Sequence, residues 1–296
     1  MIKRIIPSNE GVVGIVTAFL IVGLIVMVFS VVQTVYVPQW MKDNEADHME
    51  VVADQFSKLK FAIDTHCQFE DENNPITTSI TLGNKEMPVL SSSRSYGSIE
   101  ILPEQFIISI SGVSFPTSIT ALNTLKYSSS NAYFLDQEYI FEAGAIILSQ
   151  YQGDTMVIKP SISVDNKKTD DFKFNISIDL IDIILVYGEN YVSGYGSYPI
   201  KTQYDSVDEF PINGISNLTI QTEFPDSWER FLNNSFKQAE LKYSKDPYDI
   251  RNETFYFEKN VGQIKVIFGG RGSDISVNVN LRITKISAQI SQGWIN

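Results

Sequence analysis

The sequence predicts a mainly β protein that begins with a membrane-spanning helix. Three patterns support this prediction: an uncharged apolar stretch over residues 11–40, a heptad-like apolar pattern directly after it, and an alternation of period two beyond residue 76. The first two patterns are typical of helices and the third of half-buried strands. We therefore expect a transmembrane helix that continues into an amphipathic stem helix. A β-sandwich-like head of one or two domains follows, with one packed helix in its second half.

The apolar stretch is long enough to cross a bilayer. Residues 12–32 supply the roughly 20 apolar side chains that span a hydrocarbon core of about 30 Å. A signal peptide has an apolar core of only about 7–15 residues and ends at a small-residue cleavage site, which is missing here. A buried core helix is the other interpretation, but the stretch has no polar face. We predict a transmembrane helix over residues 11–40, with Tyr36 and Trp40 as anchors at the membrane interface.

The charges beside the span predict its orientation. Lys3 and Arg4 precede it, whereas Lys42 follows it with acidic neighbours. The positive-inside rule then leaves residues 1–10 in the cytoplasm and the rest of the chain outside the cell. The expected location is the cell membrane, with a single pass, and the lipid bilayer is the first expected partner.

Residues 41–64 are predicted to form the stem helix. Five apolar residues recur there at spacings of three and four, and we call them the seam: Met49, Val52, Phe56, Leu59 and Ile63. Such a stripe packs against another helix or against a sheet. The seam could therefore mediate self-association or pack against the chain's own head. Because two heptads are too few for a secure coiled coil, packing within the chain is slightly favoured. Pro38 should kink or interrupt the join with the membrane helix.

The composition excludes several kinds of partner and site. The net charge of −12 is opposite to the charge that a nucleic-acid-binding surface needs. Cys67 is the single cysteine, so a disulfide within the chain is excluded. With only His48 and His66 besides, a zinc site of Cys and His ligands would lack ligands. We expect no metal and no cofactor.

The head is predicted to contain strands on both sides of a charged turn at residues 165–171. This turn would divide a first β-rich domain (65–165) from a second (166–296), or it would be a hairpin loop within one domain. A helix is expected near 226–241, capped by Asp226 with Glu229 three residues on. The predicted strands are 76–82, 98–102, 105–111, 118–126, 139–150, 156–164, 172–187, 254–258, 263–268 and 275–290.

Motifs of known chemistry are lacking. There is no Gly-x-Ser-x-Gly sequence, and the glycine-rich segment 269–272 lacks the Lys-Ser/Thr of a phosphate loop, so we interpret it as a turn. Asp179 and Asp182 form a carboxylate pair of the kind used in glycoside hydrolysis, but such pairs are frequent in an acidic chain. The sequence therefore predicts no catalytic residue, and we expect a protein that is not an enzyme.

Four Asn-x-Ser/Thr sequons lie in the part predicted to be outside the cell. They are Asn175, Asn217, Asn233 and Asn252. This sequence pattern is the acceptor for N-glycosylation. We therefore regard these four as candidate glycosylation sites of a surface glycoprotein.

The chain resembles archaeal type IV pilin-like membrane-anchored surface proteins. The resemblance rests mainly on the stem, VYVPQWMKDNEADHMEVVADQFSKLKFAID, and extends to QEYIFEAGAIILSQYQGDTMVIKP and ENYVSGYGSYPIKT. It implies a surface-structure role and no active site. The chain departs from the pattern at the start of the apolar helix, where Gly11 follows Glu10 and the span itself contains no Glu.

Two functions follow as expectations. The first is a pilin-like archaeal surface protein whose head has a structural or adhesive role toward the cell envelope or another surface. The second is an anchored ligand-binding or sensing head that does not polymerise, with an aromatic-lined pocket near residues 191–198. A surface hydrolase is a third alternative and would need carboxylates that converge in a cleft.

Overall fold

The computed structural model describes residues 10–83, 95–112, 118–167, 173–186, 188–245, 254–269 and 276–291. Over these residues the chain is mainly β, as predicted, with a long N-terminal helix, a head of two sheets and one short helix. The helices are α1 Glu10–Val31, α2 Val37–Phe69 and α3 Pro225–Gln238. In chain order the strands are β1 Ile76–Thr81, β2 Tyr96–Gly112, β3 Ser118–Ser130, β4 Gln137–Glu142, β5 Ala145–Gln150, β6 Gly153–Ile158, β7 Ser161–Lys167, β8 Lys173–Leu185, β9 Tyr191–Gly194, β10 Ser197–Ile212, β11 Ile215–Gln221, β12 Lys242–Tyr243, β13 Thr254–Asn260, β14 Gln263–Phe268 and β15 Ser276–Ile290.

The helices α1 and α2 form one helical rod. A π-helical turn, Val32–Tyr36, joins them, and Pro38 lies in the first turn of α2. The α-helix is thus interrupted at the join, as expected, by a wider turn that ends two residues before Pro38, which lacks the N–H for an ordinary helical bond. The stem also extends to Phe69, beyond its predicted end at Asp64. There Glu70, with φ 52°, donates its backbone N–H to the carbonyl of His66.

The strands form two sheets. The smaller sheet has the order β1-β10-β15-β8-β7, and the larger has the order β12-β13-β14-β11-β2-β3-β4-β5-β6, with β9 also paired to β2. Most pairs are antiparallel, whereas β15 pairs with β8 in parallel. The boundary predicted at residue 165 falls inside the antiparallel β7–β8 pair, and each sheet takes strands from both sides of it. The strand pairing therefore does not follow the predicted division into two domains.

Two hydrophobic cores hold the head together. The first core lies between the two sheets and α3, and Phe106, Phe174 and Trp228 belong to it. The second core lies against one face of α2 and includes the whole seam together with Tyr127 and Phe141. The long strands β8 and β15 contribute their N-terminal halves to the first core and their C-terminal halves to the second. The stem helix is therefore part of the head and not a separate stalk.

Some strand predictions differ from the structure in their boundaries. The two strands predicted over 98–111 are the single strand β2, which has an irregular register between Leu102 and Phe106. The apolar run 139–150 is predicted as one strand. It is the hairpin β4–β5, because Ala143 and Gly144 both have positive φ, the geometry of a tight type I′ turn. Likewise, residues 156–164 contain parts of both β6 and β7.

The N-terminus of α3 differs from the prediction. Phe224 occupies the N-cap position and Pro225 the first helical position, so Asp226 is not the cap. Proline is favoured at this position because its φ is already helical and its missing N–H is not needed there. Asp226 lies in the first turn and forms an ion pair with Lys259 instead. The glycine-rich turn predicted at 269–272 lies, apart from Gly269, outside the described residues.

Candidate functional site

The surface of the helical rod changes at Val37. Side chains from Val13 to Val31 are all exposed, and apolar residues such as Phe19 and Met27 are 74% and 65% exposed. Within the described residues, Val13–Phe69 is the one helix whose length and apolar composition permit it to cross a membrane. From Val37 onward one face of the rod is buried, beginning with Val37 and Met41 at 3% and 1% exposure.

The seam packs against the chain's own head. All five seam residues are at most 2% exposed and lie in the second core. Phe56 stacks on Tyr139 with ring centroids 5.4 Å apart and meets Tyr127 edge to face at 6.2 Å. This arrangement agrees with the alternative of packing within the chain, because the seam side chains are not available to a second copy.

The two predicted interface anchors lie at the transition between exposed and buried helix. Tyr36 and Trp40 are 52% and 44% exposed, and their ring centroids are 6.1 Å apart. Val37 directly follows Tyr36 and Met41 directly follows Trp40, and both of these side chains are buried. A single helix does not bury its own side chains so completely, so the rest of the chain reaches the level of these aromatic residues.

A buried carboxylate joins the stem to the loop between β3 and β4. Glu45 is fully buried, and its two oxygens accept the backbone N–H groups of Ala132 at 3.0 Å and of Tyr133 and Phe134 at 2.7 Å. Three backbone donors thus satisfy the hydrogen-bonding capacity of this buried carboxyl group. The sequence does not single out Glu45, because among the many acidic residues of the stem only its place on the buried face distinguishes it.

The histidines and the cysteine do not form a reactive group. His48 lies 3.4 Å from the hydroxyl of Tyr127, whereas His66 lies 3.2 Å from the hydroxyl of Thr202, and burial lowers the pKa of both. Burial and the nearby Asp64 raise the pKa of the Cys67 thiol to about 11. A reactive cysteine needs the opposite shift. Groups of three or more metal-ligating side chains are also missing from the described parts of the chain.

Asp179 and Asp182 do not converge. They are three residues apart on β8, so they point to opposite faces of the sheet. Asp182 is 9% exposed and accepts the backbone N–H of Asn123 at 2.9 Å, and burial raises its pKa. Asp179 accepts a hydrogen bond from the hydroxyl of Ser161. Both are therefore held by structural contacts.

A second buried carboxylate lies under α3. Glu142 is 1% exposed, and its Oε1 accepts hydrogen bonds from Thr222 Oγ1 and Trp228 Nε1, both at 2.7 Å. Burial raises the pKa of Glu142 to about 7, although these two hydrogen bonds act in the opposite direction. Glu142 is the last residue of β4, Thr222 directly follows β11 and Trp228 lies in α3, so this network fastens the short helix to the larger sheet. Sequence reasoning did not identify it.

The predicted glycosylation sites lie on regular elements. Asn175 and Asn217 are half-buried on β8 and β11, and the side-chain oxygen of Asn175 accepts from Asn278 at 3.2 Å. Asn233 is half-buried on α3, and its Oδ1 is buried with no hydrogen-bond partner among the described residues. Asn252 lies outside the described residues. Glycosylation at these four positions stays a prediction.

The head has open clefts on its surface. Three of them have volumes of about 520, 440 and 640 Å³. The second lies where the end of α2 meets the sheets, and Cys67, Asp179 and Arg282 contribute to its wall. None of these three clefts is lined by residues 191–198, where an aromatic pocket was expected. In that segment Tyr195 contacts Tyr96 edge to face, with ring centroids 6.5 Å apart.

No protein family, curated protein or solved structure matches this chain. The functional argument therefore rests on the helical rod, whose first half is apolar and exposed and whose second half buries one apolar face in the head. The resemblance to pilin-like proteins, and the expectation that the chain is not an enzyme, stay predictions.

Proposed function

We propose that this protein is a single-pass membrane protein of the cell surface whose head has a structural or adhesive role. One observation carries the proposal: α1 is apolar and exposed on all sides, whereas its direct continuation α2 is built into the head. A fully apolar helix of this length is stable in a bilayer and not in water. The anchor then holds the head close to the membrane, because no flexible linker separates them.

The orientation is part of the proposal. Lys3 and Arg4 stay in the cytoplasm, and the acidic head lies outside the cell. Protease digestion of intact cells tests this orientation, with the exposed hairpin tips at Tyr151 and Val261 as the expected cleavage regions. Cleavage of the head in intact cells supports the orientation. Cleavage only after lysis contradicts it.

Charge substitutions in the span test the anchor itself. We expect the double substitution Ile21→Lys and Ile25→Lys to move the protein from the carbonate-washed membrane fraction to the soluble fraction. Each lysine near the centre of a span costs about 3 kcal/mol of insertion free energy. The matched control is Val51→Lys with Phe61→Lys, two apolar residues that are exposed on the stem. An anchor variant that stays in washed membranes would refute the proposal.

Pilin-like assembly is the second candidate, and one observation favours it. Because the seam is used within the chain, α1 is the apolar helical surface that remains for packing between copies. Intact mass and N-terminal sequencing of the native protein test this candidate. A start at Gly11 or Val12, together with filaments in electron micrographs, supports a processed subunit. A start at Met1 or Ile2 makes the helix a permanent anchor and removes the argument for assembly.

A further inference from the structure

The loop 131–136, between β3 and β4, is held rigidly at the membrane end of the head. Glu45 on the stem accepts three of its backbone N–H groups. Within the loop, Asn131 donates its backbone N–H to Asp136 at 2.7 Å and its side-chain amide to the carbonyl of Leu135 at 2.9 Å. A loop with so many fixed backbone groups presents its side chains in a defined direction.

The position of the loop along the rod places it near the lipid surface. Glu45 follows Trp40 by five positions, which corresponds to about 7.5 Å along a helix. Trp40 and Tyr36 are the residues expected at the membrane interface, and the head already reaches their level because Val37 and Met41 are buried. If α1 spans a membrane, as proposed above, the loop therefore lies within reach of the lipid headgroups.

The side chains of the loop suit an interfacial position. Tyr133 and Leu135 are 38% and 52% exposed, whereas Phe134 points inward and packs on the second core. Tyrosine prefers the boundary between hydrocarbon and water, because its ring is apolar and its hydroxyl is polar. The loop contains no basic residue and ends in Asp136, so the partner it fits is a zwitterionic lipid surface and not an anionic one.

We propose that loop 131–136 is a second membrane contact, with Tyr133 and Leu135 inserted among the headgroups of zwitterionic lipids and Glu45 as the residue that positions them. This inference rests on the proposed anchor. With two contacts, the rod and the loop, the head has a fixed tilt relative to the membrane. A rod alone would leave the head free to rotate about the helix axis.

Site-specific labelling in lipid nanodiscs tests the proposal. The full chain carries Cys67→Ala and one new cysteine, labelled with an environment-sensitive fluorophore, in nanodiscs of phosphatidylcholine or of its brominated form. Leu135→Cys reports on the loop, Phe29→Cys on the span, and Ile119→Cys on an exposed site at the opposite end of β3 from this loop. We expect brominated lipid to quench the labels at positions 29 and 135 and to leave the label at 119 unchanged.

The three positions distinguish the two ways in which the reasoning could fail. Quenching at 29 with position 135 equal to position 119 leaves the anchor intact and overturns the loop contact. Absence of quenching at 29 overturns the anchor and, with it, the loop contact.

Glu45→Gln tests the positioning role. The N–H₂ group of the glutamine would face backbone N–H groups and cannot accept their hydrogen bonds. We therefore expect loss of quenching at 135 while quenching at 29 remains. Glu50→Gln, at an exposed site on the same helix, should change neither signal. Unchanged quenching at 135 in a folded Glu45→Gln protein would refute the role of Glu45. If that variant does not fold, the labels in the parent chain still decide the loop contact.

Discussion

Replacing Glu142 with glutamine should change how the stability of the protein depends on pH. The carboxyl is 1% exposed, and one oxygen accepts hydrogen bonds from both Thr222 and Trp228. A glutamine carbonyl oxygen in the same place can accept both hydrogen bonds, so the substitution removes the titration and keeps the shape. The difference in unfolding free energy between the wild type and Glu142→Gln therefore measures the effect of the charge on Glu142.

The direction of the effect follows from the raised pKa. Burial raises the pKa of Glu142 from an ordinary 4.5 to about 7, so the folded state binds the proton more strongly than the unfolded state. The stability that this group contributes is complete below about pH 4.5 and is lost as the pH rises through about 7. The difference between the two pKa values corresponds to about 3 kcal/mol of unfolding free energy.

Urea unfolding of the full chain in nanodiscs, followed by tryptophan fluorescence, measures this effect. We expect Glu142→Gln to gain about 3 kcal/mol relative to the wild type between pH 4.5 and pH 8. The lowered pKa values of His48 and His66 act in the opposite direction, since their contribution is lost as the pH falls, but they cancel in the comparison. Glu258→Gln, on a partly exposed side chain, controls for the loss of one negative charge. If the difference in unfolding free energy between the wild type and Glu142→Gln does not change with pH, the raised pKa of Glu142 is refuted.

Two further predictions concern the second core. Phe56→Ala should lower the unfolding free energy by about 3–5 kcal/mol, because it removes a buried ring. Phe61→Ala, five positions along the same helix but 74% exposed, should have little effect, and similar urea midpoints for the two variants would contradict the packing. Cys67, with a pKa of about 11, should react with iodoacetamide at pH 8 far more slowly than an added cysteine at Tyr151 in a Cys67→Ala chain, because only about one thiol in a thousand is ionised. Equal rates would show that Cys67 is not buried and that its pKa is not raised.

The elements that the sequence predicts well are those with a long and consistent pattern. The apolar span, the seam and the run over 172–187 each extend over many residues: the span is helical, the seam lies on α2, and the run over 172–187 contains β8. The predictions that differ depend on local geometry. The turn at Ala143 and Gly144 divides a continuous apolar run, and Pro225 as the first helical residue moves the N-cap of α3 by two positions, from Asp226 to Phe224. Neither feature changes the hydrophobic pattern that the prediction used.

The functional contacts were harder to predict than the fold. Glu45 and Glu142 are two of 35 acidic residues, and nothing in their immediate neighbours marks them as buried. Each is held by partners that are 80 or more positions away in the sequence. A single sequence carries no signal for such pairs. The spacing of the seam residues, by contrast, indicates that they are buried. It does not indicate which surface they pack on.

The packing of the seam also limits how copies of this protein could assemble. An a/d seam normally suggests a coiled coil between chains, but here the same side chains form the second core together with strands from both sheets. To free them for a partner, the chain would have to expose Phe56, Leu59 and Ile63 and lose much of that core. Assembly would therefore have to use α1 or the outer surface of the head. Since α1 and α2 form one rod, packing between α1 helices would also fix the spacing and the direction of the heads.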